Sequence, residues 1–151
     1  MPTKKQAGRT KATRVKDAGP MTVKQIMEKR VQFAHLQTKG DVIASLMIEG
    51  FGAVPVIDKK RTLVGIVSEH DLLAAMDDGR LLGELTAADV MTANPYSVRP
   101  ETTVATLVHV LRASDLVRVP VVDANDRLVG IIARRDILRT YVGGGSTRRK
   151  K

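Results

Sequence analysis

Residues 53–72 read AVPVIDKKRTLVGIVSEHDL, and residues 118–137 read RVPVVDANDRLVGIIARRDI. In each stretch two runs rich in β-branched residues flank a polar turn, which is the pattern of a β-hairpin. The stretches align without a gap, and four identical pairs anchor the alignment: Pro55 with Pro120, Asp58 with Asp123, Gly65 with Gly130, and Asp71 with Asp136. The chain therefore contains the same structural unit twice.

Amphipathic helices are predicted on both sides of each hairpin. After each hairpin a helix is predicted to begin, near Ser68 or Ala133. Two repeats are too few for a solenoid, so we expect an α/β (α+β) protein in which two pseudo-symmetric repeats share one core. Apolar residues recur at helical spacing ahead of each hairpin: Val42, Ile43, Leu46 and Met47 in the first copy, and Val104, Leu107, Val108 and Leu111 in the second.

A capped helix is predicted at the start of each repeat. Thr22 and Thr86 are each followed three residues later by a side-chain acceptor, Gln25 or Asp89, as in a capping box. We expect each repeat to be introduced by its own leading helix. The predicted domains are residues 21–79 for the first repeat and residues 80–141 for the second.

The net charge of +9 lies in the two ends of the chain. Residues 1–20 carry six basic groups against one carboxylate, and residues 142–151 carry four basic groups, which leaves residues 21–141 neutral. Both ends are polar and lack apolar periodicity, so they cannot bury enough surface to offset the entropy of ordering. They are predicted to be disordered basic tails.

Composition and motifs exclude several classes of function. The chain has no cysteine, so disulfides and thiolate chemistry are absent. No apolar run reaches the roughly 20 residues of a membrane span, and the amino terminus lacks a secretory signal, so we expect a cytoplasmic protein without a membrane partner. We find no nucleophile with a base, no carboxylate pair for acid–base work and no histidines at metal-ligand spacing, and therefore expect no enzyme, no metal site and no required cofactor.

The two repeated phrases, together with ADVMTANPYSVRPETTV ahead of the second, resemble a tandem pair of CBS domains, also called a Bateman module. The resemblance covers about residues 21–141. It implies repeats of β-α-β-β-α type packed through their sheets, with two clefts that hold AMP, ADP, ATP or S-adenosylmethionine as a regulatory ligand. It also implies a homodimer formed through the helices.

The family signature is Gly, two apolar residues, Ser or Thr, two variable residues and Asp, and Gly65 to Asp71 match it completely. Ser68 falls where a helix begins, so free N–H groups and the dipole favour a phosphate there, while Asp71 can accept hydrogen bonds from both ribose hydroxyls. The resemblance places the adenine against apolar strand residues and the segment that leads the opposite repeat. The first site is therefore predicted to contain Ser68, Asp71, Ala53, Val54, Ile66, Thr92, Pro95 and Tyr96.

The second copy departs from the signature because Ala133 replaces the serine. Arg118 stands just before the strand, and with Arg134 and Arg135 it could replace the missing hydroxyl as a phosphate anchor; the alternative is that Arg118 lies solvated at a sheet edge. We expect one strong site and a weaker or differently tuned one. The second site is predicted to contain Arg118, Val119, Ile131, Arg135 and Asp136.

A ligand is not needed to explain Ser-x-x-Asp, because this spacing also forms a capping box. Ala133 cannot cap through its side chain, yet Asp136 is retained, so capping alone does not explain the second aspartate. An acid in the first turn still gains about 0.3–1 kcal/mol from the helix dipole. The comparison of the two copies therefore favours ligand binding.

The sequence thus predicts a non-catalytic module that binds an adenosine-containing ligand and signals by changing repeat or dimer geometry. With only tails beside the repeats, we expect it to regulate a protein in trans or to act within its own oligomer. The alternative is a nucleic-acid-associated protein that binds through its basic tails, with strong salt dependence and little sequence preference.

Overall fold

The computed structural model describes residues 20–50 and 52–146. Helices and strands alternate in an α/β arrangement, with one hairpin in each half of the chain. The helices are α1 Val23–Ile26, α2 Gly40–Ile48, α3 Glu69–Asp77, α4 Ala87–Val90, α5 Val104–Arg112 and α6 Arg134–Ser146. The strands are β1 Ala34–His35, β2 Ala53–Ile57, β3 Leu63–Ser68, β4 Thr92–Ala93, β5 Arg118–Val122 and β6 Leu128–Ala133.

The two predicted hairpins have the same register. Ala53 pairs with Ser68 at the open end of β2–β3, and Arg118 pairs with Ala133 at the equivalent place in β5–β6. Each hairpin has a register shift just before its last residue pair. The shift falls at the same place in both because the two turns have the same length. In the first sheet β1 lies parallel to β2 and β4 lies antiparallel to β3, in the order β1-β2-β3-β4.

An aspartate closes the turn of each hairpin. Asp58 Oδ1 accepts hydrogen bonds from the backbone N–H groups of Thr62 and Lys60, at 2.9 and 2.8 Å. These bonds, that from Thr62 foremost, hold the pKa of the Asp58 carboxyl below its ordinary value. Asp123 repeats the arrangement, and the backbone N–H of Arg127 is the main cause of its lowered pKa.

The hairpins meet at their turns. Leu63 N donates to Asp126 O and Leu128 N donates to Arg61 O, both at 3.0 Å, which is a reciprocal pair across the pseudo-twofold axis. The guanidinium of Arg61 donates to Leu128 O at 3.1 Å and lies over the ring of Phe33. Backbone pairing therefore fixes one repeat against the other.

A short capped helix precedes each repeat, as predicted, but α1 and α4 pack on the opposite repeats. Val23 N in α1 donates to Thr102 O of the second repeat, and Ala87 N in α4 donates to Thr38 O of the first, both at 2.8 Å. Val23 is fully buried in the core of the second repeat, and Ala87 in that of the first. Each core is thus completed by the other half of the chain.

The predicted tails fall largely outside the described residues. Residues 1–19 and 147–151 are not described, so their predicted disorder stays a prediction. Residues 142–146, which the sequence assigned to the second tail, continue α6 and are helical. No helix within the described residues is long and apolar enough to cross a membrane.

Candidate functional site

The signature glycines are Gly65 and Gly130. Each lies where the segment that follows a leading helix, which we call the exchanged segment, crosses the hairpin of the opposite repeat. A Cβ at Gly130 would lie 2.6 Å from Met27 Sδ and 3.1 Å from Glu28 O. A Cβ at Gly65 would overlap Met91 Sδ and lie 3.1 Å from Thr92 O. Glycine is therefore favoured at both positions, because any larger residue would force the segment that leads the opposite repeat to shift.

A complete capping box begins α3. Ser68 Oγ accepts from Asp71 N at 3.1 Å, and Asp71 Oδ2 accepts from Ser68 N at 2.8 Å. Among the described residues, nothing donates a hydrogen bond to Asp71 Oδ1. One carboxylate oxygen at the start of the helix is therefore available, and its two lone pairs suffice for two hydroxyl donors.

Half of this capping box survives at α6. Asp136 Oδ2 accepts from Ala133 N at 2.8 Å, a bond that needs no side chain at position 133. The inference that capping cannot explain the retained Asp136 is therefore wrong, because every residue type except proline supplies this N–H. The retained aspartate no longer favours ligand binding over capping.

The two aspartates differ in their second oxygen. Asp136 Oδ1 accepts from Arg139 Nη1 at 3.2 Å, whereas the residue equivalent to Arg139 in the first repeat is Ala74. Arg139 is 65% exposed, so this pair is weak, but a ligand would have to displace it. The alignment of the two repeats already showed this difference, because position 139 is an arginine and the equivalent position 74 is an alanine.

The structure brings together five of the eight residues predicted for the first site. Ala53 pairs with Ser68, Ile66 pairs with Thr92, and Asp71 bonds to Ser68. Val54 is fully buried in the core, so only its backbone could meet a ligand. Pro95 and Tyr96 follow β4, and Tyr96 is exposed, but no described hydrogen bond joins either one to Asp71.

The second site has the same frame with different side chains. Arg118 pairs with Ala133 beside the start of α6, and its guanidinium reaches the position that a Cβ on Gly52 would occupy. Arg118 therefore bridges the repeats and is not a solvated edge residue. Val119 is fully buried, Ile131 is half-buried, and Arg135 is exposed.

One residue of the second cleft was missed. Glu28 N donates to Ile131 O at 2.8 Å and Ile131 N donates back at 3.0 Å, so Glu28 occupies the position that Thr92 has in the first cleft. Aligning the leading segments on Met27 and Met91 would have found it. A carboxylate at this position gives the second cleft a different electrostatic character from the first.

The helix caps make a direct prediction. Replacing Ser68 with alanine removes the bond from Asp71 N and should destabilise the protein by about 1 kcal/mol. Ala133→Ser restores the missing half of the box at α6 and should stabilise it by a similar amount. Urea unfolding of the two variants measures both changes, and a destabilising Ala133→Ser would contradict the structural equivalence of the caps.

The fold and the two equivalent sites beside its hairpins define a tandem β-α-β-β-α module. Both halves match the CBS domain family, over residues 23–78 and 87–143. The chain therefore belongs to the CBS domain family, as the resemblance implied. The predicted α/β fold of two tandem repeats is confirmed, except that each repeat has its own hydrophobic core and the two do not share one.

The similar proteins include one curated protein and two solved structures. The chain is 29% identical over 126 residues to the CBS domain-containing protein CBSX2, chloroplastic, of Arabidopsis thaliana, covering 66% of this chain and 53% of CBSX2. The structure of CBSX2 in complex with AMP matches at a TM-score of 0.74 and 32% identity, over 81% of this chain and 96% of that one. The CBS pair of protein MJ0100 with 5'-methylthioadenosine and S-adenosyl-L-methionine matches at 0.75 and 26%, over 84% and 100%.

The match to whole proteins is partial. This chain spans 53% of CBSX2 and between 22% and 53% of the length of three further curated relatives. The comparisons therefore identify the module and its fold.

Proposed function

We propose that the protein is a non-catalytic regulatory module that binds an adenosine-containing ligand in the first cleft. The observation that carries the proposal is Asp71 Oδ1 beside the start of α3, which accepts no hydrogen bond from the described residues. Asp71 Oδ1 accepts hydrogen bonds from the ribose hydroxyls of AMP, ADP, ATP or S-adenosylmethionine, and the helix start favours the phosphates of the three nucleotides. The relatives with bound AMP and S-adenosyl-L-methionine support this class of ligand.

The second cleft binds the same class of ligand more weakly. Asp136 already uses both oxygens, one on Ala133 N and one on Arg139, and Glu28 adds a carboxylate where the first cleft has Thr92. Arg118 is the remaining phosphate anchor there. We therefore keep the prediction that the two sites differ in affinity. We attribute the difference to the occupied carboxylate of Asp136 and to Glu28, as well as to the missing hydroxyl at position 133.

Signalling requires that the ligand bind two arrangements of the module with different affinity, because equal affinity shifts no equilibrium. The first cleft is built from β3 of one repeat and β4 of the segment leading the other. A ligand that contacts both changes the relative free energies of the possible arrangements of the two repeats. We propose that the protein acts as a homodimer, whose geometry changes with that arrangement. A regulated protein in trans stays a prediction.

Ligand-dependent thermal unfolding tests the proposal. AMP, ADP, ATP or S-adenosylmethionine at a hundredfold excess over its dissociation constant should add about 2.7 kcal/mol to the free energy of unfolding. Asp71→Asn keeps an acceptor for Ser68 N but loses the carboxylate, so the shift should disappear, whereas Asp136→Asn should keep most of it.

Each variant is compared with its own ligand-free form, so a change in capping cancels. Thr103→Ala is the matched control, because it removes the cap hydrogen bond from Thr106 N at the start of α5, outside both predicted sites, and should retain the ligand shift. A shift that survives Asp71→Asn would contradict the proposed site. The nucleic-acid alternative rests on residues outside the described part of the chain, and the shift should persist when residues 1–19 are removed.

A further inference from the structure

Equivalent apolar grooves lie between the helix pairs of the two repeats. The groove of the first repeat, between α2 and α3, has a volume of about 440 Å³, and that of the second, between α5 and α6, about 260 Å³. All six residues that line the second groove have an equivalent in the lining of the first, which adds Met76 and Leu82. Met47, Leu72 and Leu73 in the first groove match Leu111, Ile137 and Leu138 in the second.

Large apolar side chains at these grooves face solvent. Ile48 is 85% exposed, Leu73 61% and Leu138 63%. Exposed apolar patches of this kind, repeated at equivalent positions, mark interaction surfaces in soluble proteins. No described segment of the chain covers either groove.

The helix pairs that form the two grooves carry opposite charge. Residues 40–49 and 69–78 contain no lysine or arginine and six carboxylates, which are Asp41, Glu49, Glu69, Asp71, Asp77 and Asp78. The equivalent residues 104–113 and 134–143 contain one carboxylate, Asp136, and four arginines, which are Arg112, Arg134, Arg135 and Arg139. Within the grooves the reversal is direct, because Glu69 and Arg134 occupy equivalent positions.

We infer that two copies of the chain pair head to tail, with the acidic groove of the first repeat against the basic groove of the partner's second repeat. This arrangement rests on the homodimer proposed above and specifies its orientation. A twofold axis permits two pairings, like grooves together or unlike grooves together. Like pairing sets the two carboxylate-rich helix pairs against each other, whereas unlike pairing sets Glu69 of one groove against Arg112 and Arg134 of the other at both contacts.

The absence of cysteine from the chain makes the orientation measurable. Leu73→Cys and Leu138→Cys place one thiol at equivalent positions in the two grooves. With a short bis-maleimide, a mixture of the two variants should give a cross-linked dimer as the main product, and each variant alone should give little. Efficient cross-linking within each variant alone would overturn the head-to-tail pairing.

The salt dependence of dimerisation is an independent test of the orientation. Screening weakens attraction between unlike faces and relieves repulsion between like faces, so the dimer dissociation constant should rise with salt only in the head-to-tail arrangement. Analytical ultracentrifugation of the full chain measures it, and a constant that falls with salt would overturn the proposal. Glu69→Arg should weaken the dimer, and combining it with Arg134→Glu should restore it.

Removal of residues 1–19 separates a second copy from the basic tail as occupant of the acidic groove. The mixed cross-link should persist in the truncated protein, and its loss would assign the groove to the tail. A protein that is monomeric at every salt concentration would overturn the homodimer and its orientation together. The ligand-induced stability shift is measured separately, so nucleotide binding can stand or fail independently.

Discussion

Gly65→Ala is expected to destabilise the protein by about 1–3 kcal/mol, the usual cost of overpacking a well-packed site. The added Cβ would overlap the sulfur of Met91 and lie 2.9 Å from Met91 Cγ and 3.1 Å from Thr92 O. Thr92 O belongs to β4, which is paired with β3, so the backbone cannot move aside without breaking the sheet edge. Gly130→Ala should behave alike, since Met27 and Glu28 O crowd it in the same way.

Gly83→Ala is the matched control for this substitution. Its Cβ would meet only Asp41 Oδ2, at an ordinary contact distance of 3.5 Å, so the stability should change by less than about 0.5 kcal/mol. Met91→Ala costs stability by itself, because Met91 packs against the core of the first repeat. In that background Gly65→Ala should cost less than in the wild type, since only the contact with Thr92 O remains. Urea unfolding gives all of these values, and wild-type stability of Gly65→Ala would contradict the observed crossing of the exchanged segment.

The hairpins and their register were predictable because their signals are local. Alternating β-branched residues, a turn aspartate and a helix start recur with the same spacing in both copies, and each acts within a few residues along the chain. The exchange of the leading helices was not predictable in this way. Val23 and Ala87 read as capped helix starts wherever they pack, and their partners Thr102 and Thr38 are far away in sequence.

The candidate site shows the same division. Spacing alone identified Ser68 and Asp71 as a pair, and the structure bears out their contact. It could not distinguish capping from ligand binding at Asp136, because the donor there is a backbone N–H that leaves no mark in the sequence. Comparing the two copies in the sequence would have singled out Arg139 and Glu28, but only the structure shows which atoms they contact.

A fragment of residues 29–94 is expected to fold by itself, whereas a fragment of residues 21–79, the predicted first domain, is expected to stay unfolded. The fragment 29–94 contains all four strands of the first sheet and every member of the first core, including Ala87, Val90 and Met91 from the exchanged segment. The fragment 21–79 lacks these residues and β4. It retains α1, whose Val23 belongs to the core of the other repeat.

Domains of this size have little stability to spare, because a short chain buries a small fraction of its surface. Loss of one strand and a leading helix should therefore abolish cooperative folding. Thermal unfolding by circular dichroism and the dispersion of amide resonances distinguish the two fragments. Equal mixtures of residues 21–79 and 80–141 provide the control, because each supplies the helix that the other lacks and together they should regain a cooperative transition. Cooperative unfolding of residues 21–79 alone would show that the exchanged segments add little to stability, and that the repeat seen in the sequence is also the folding unit.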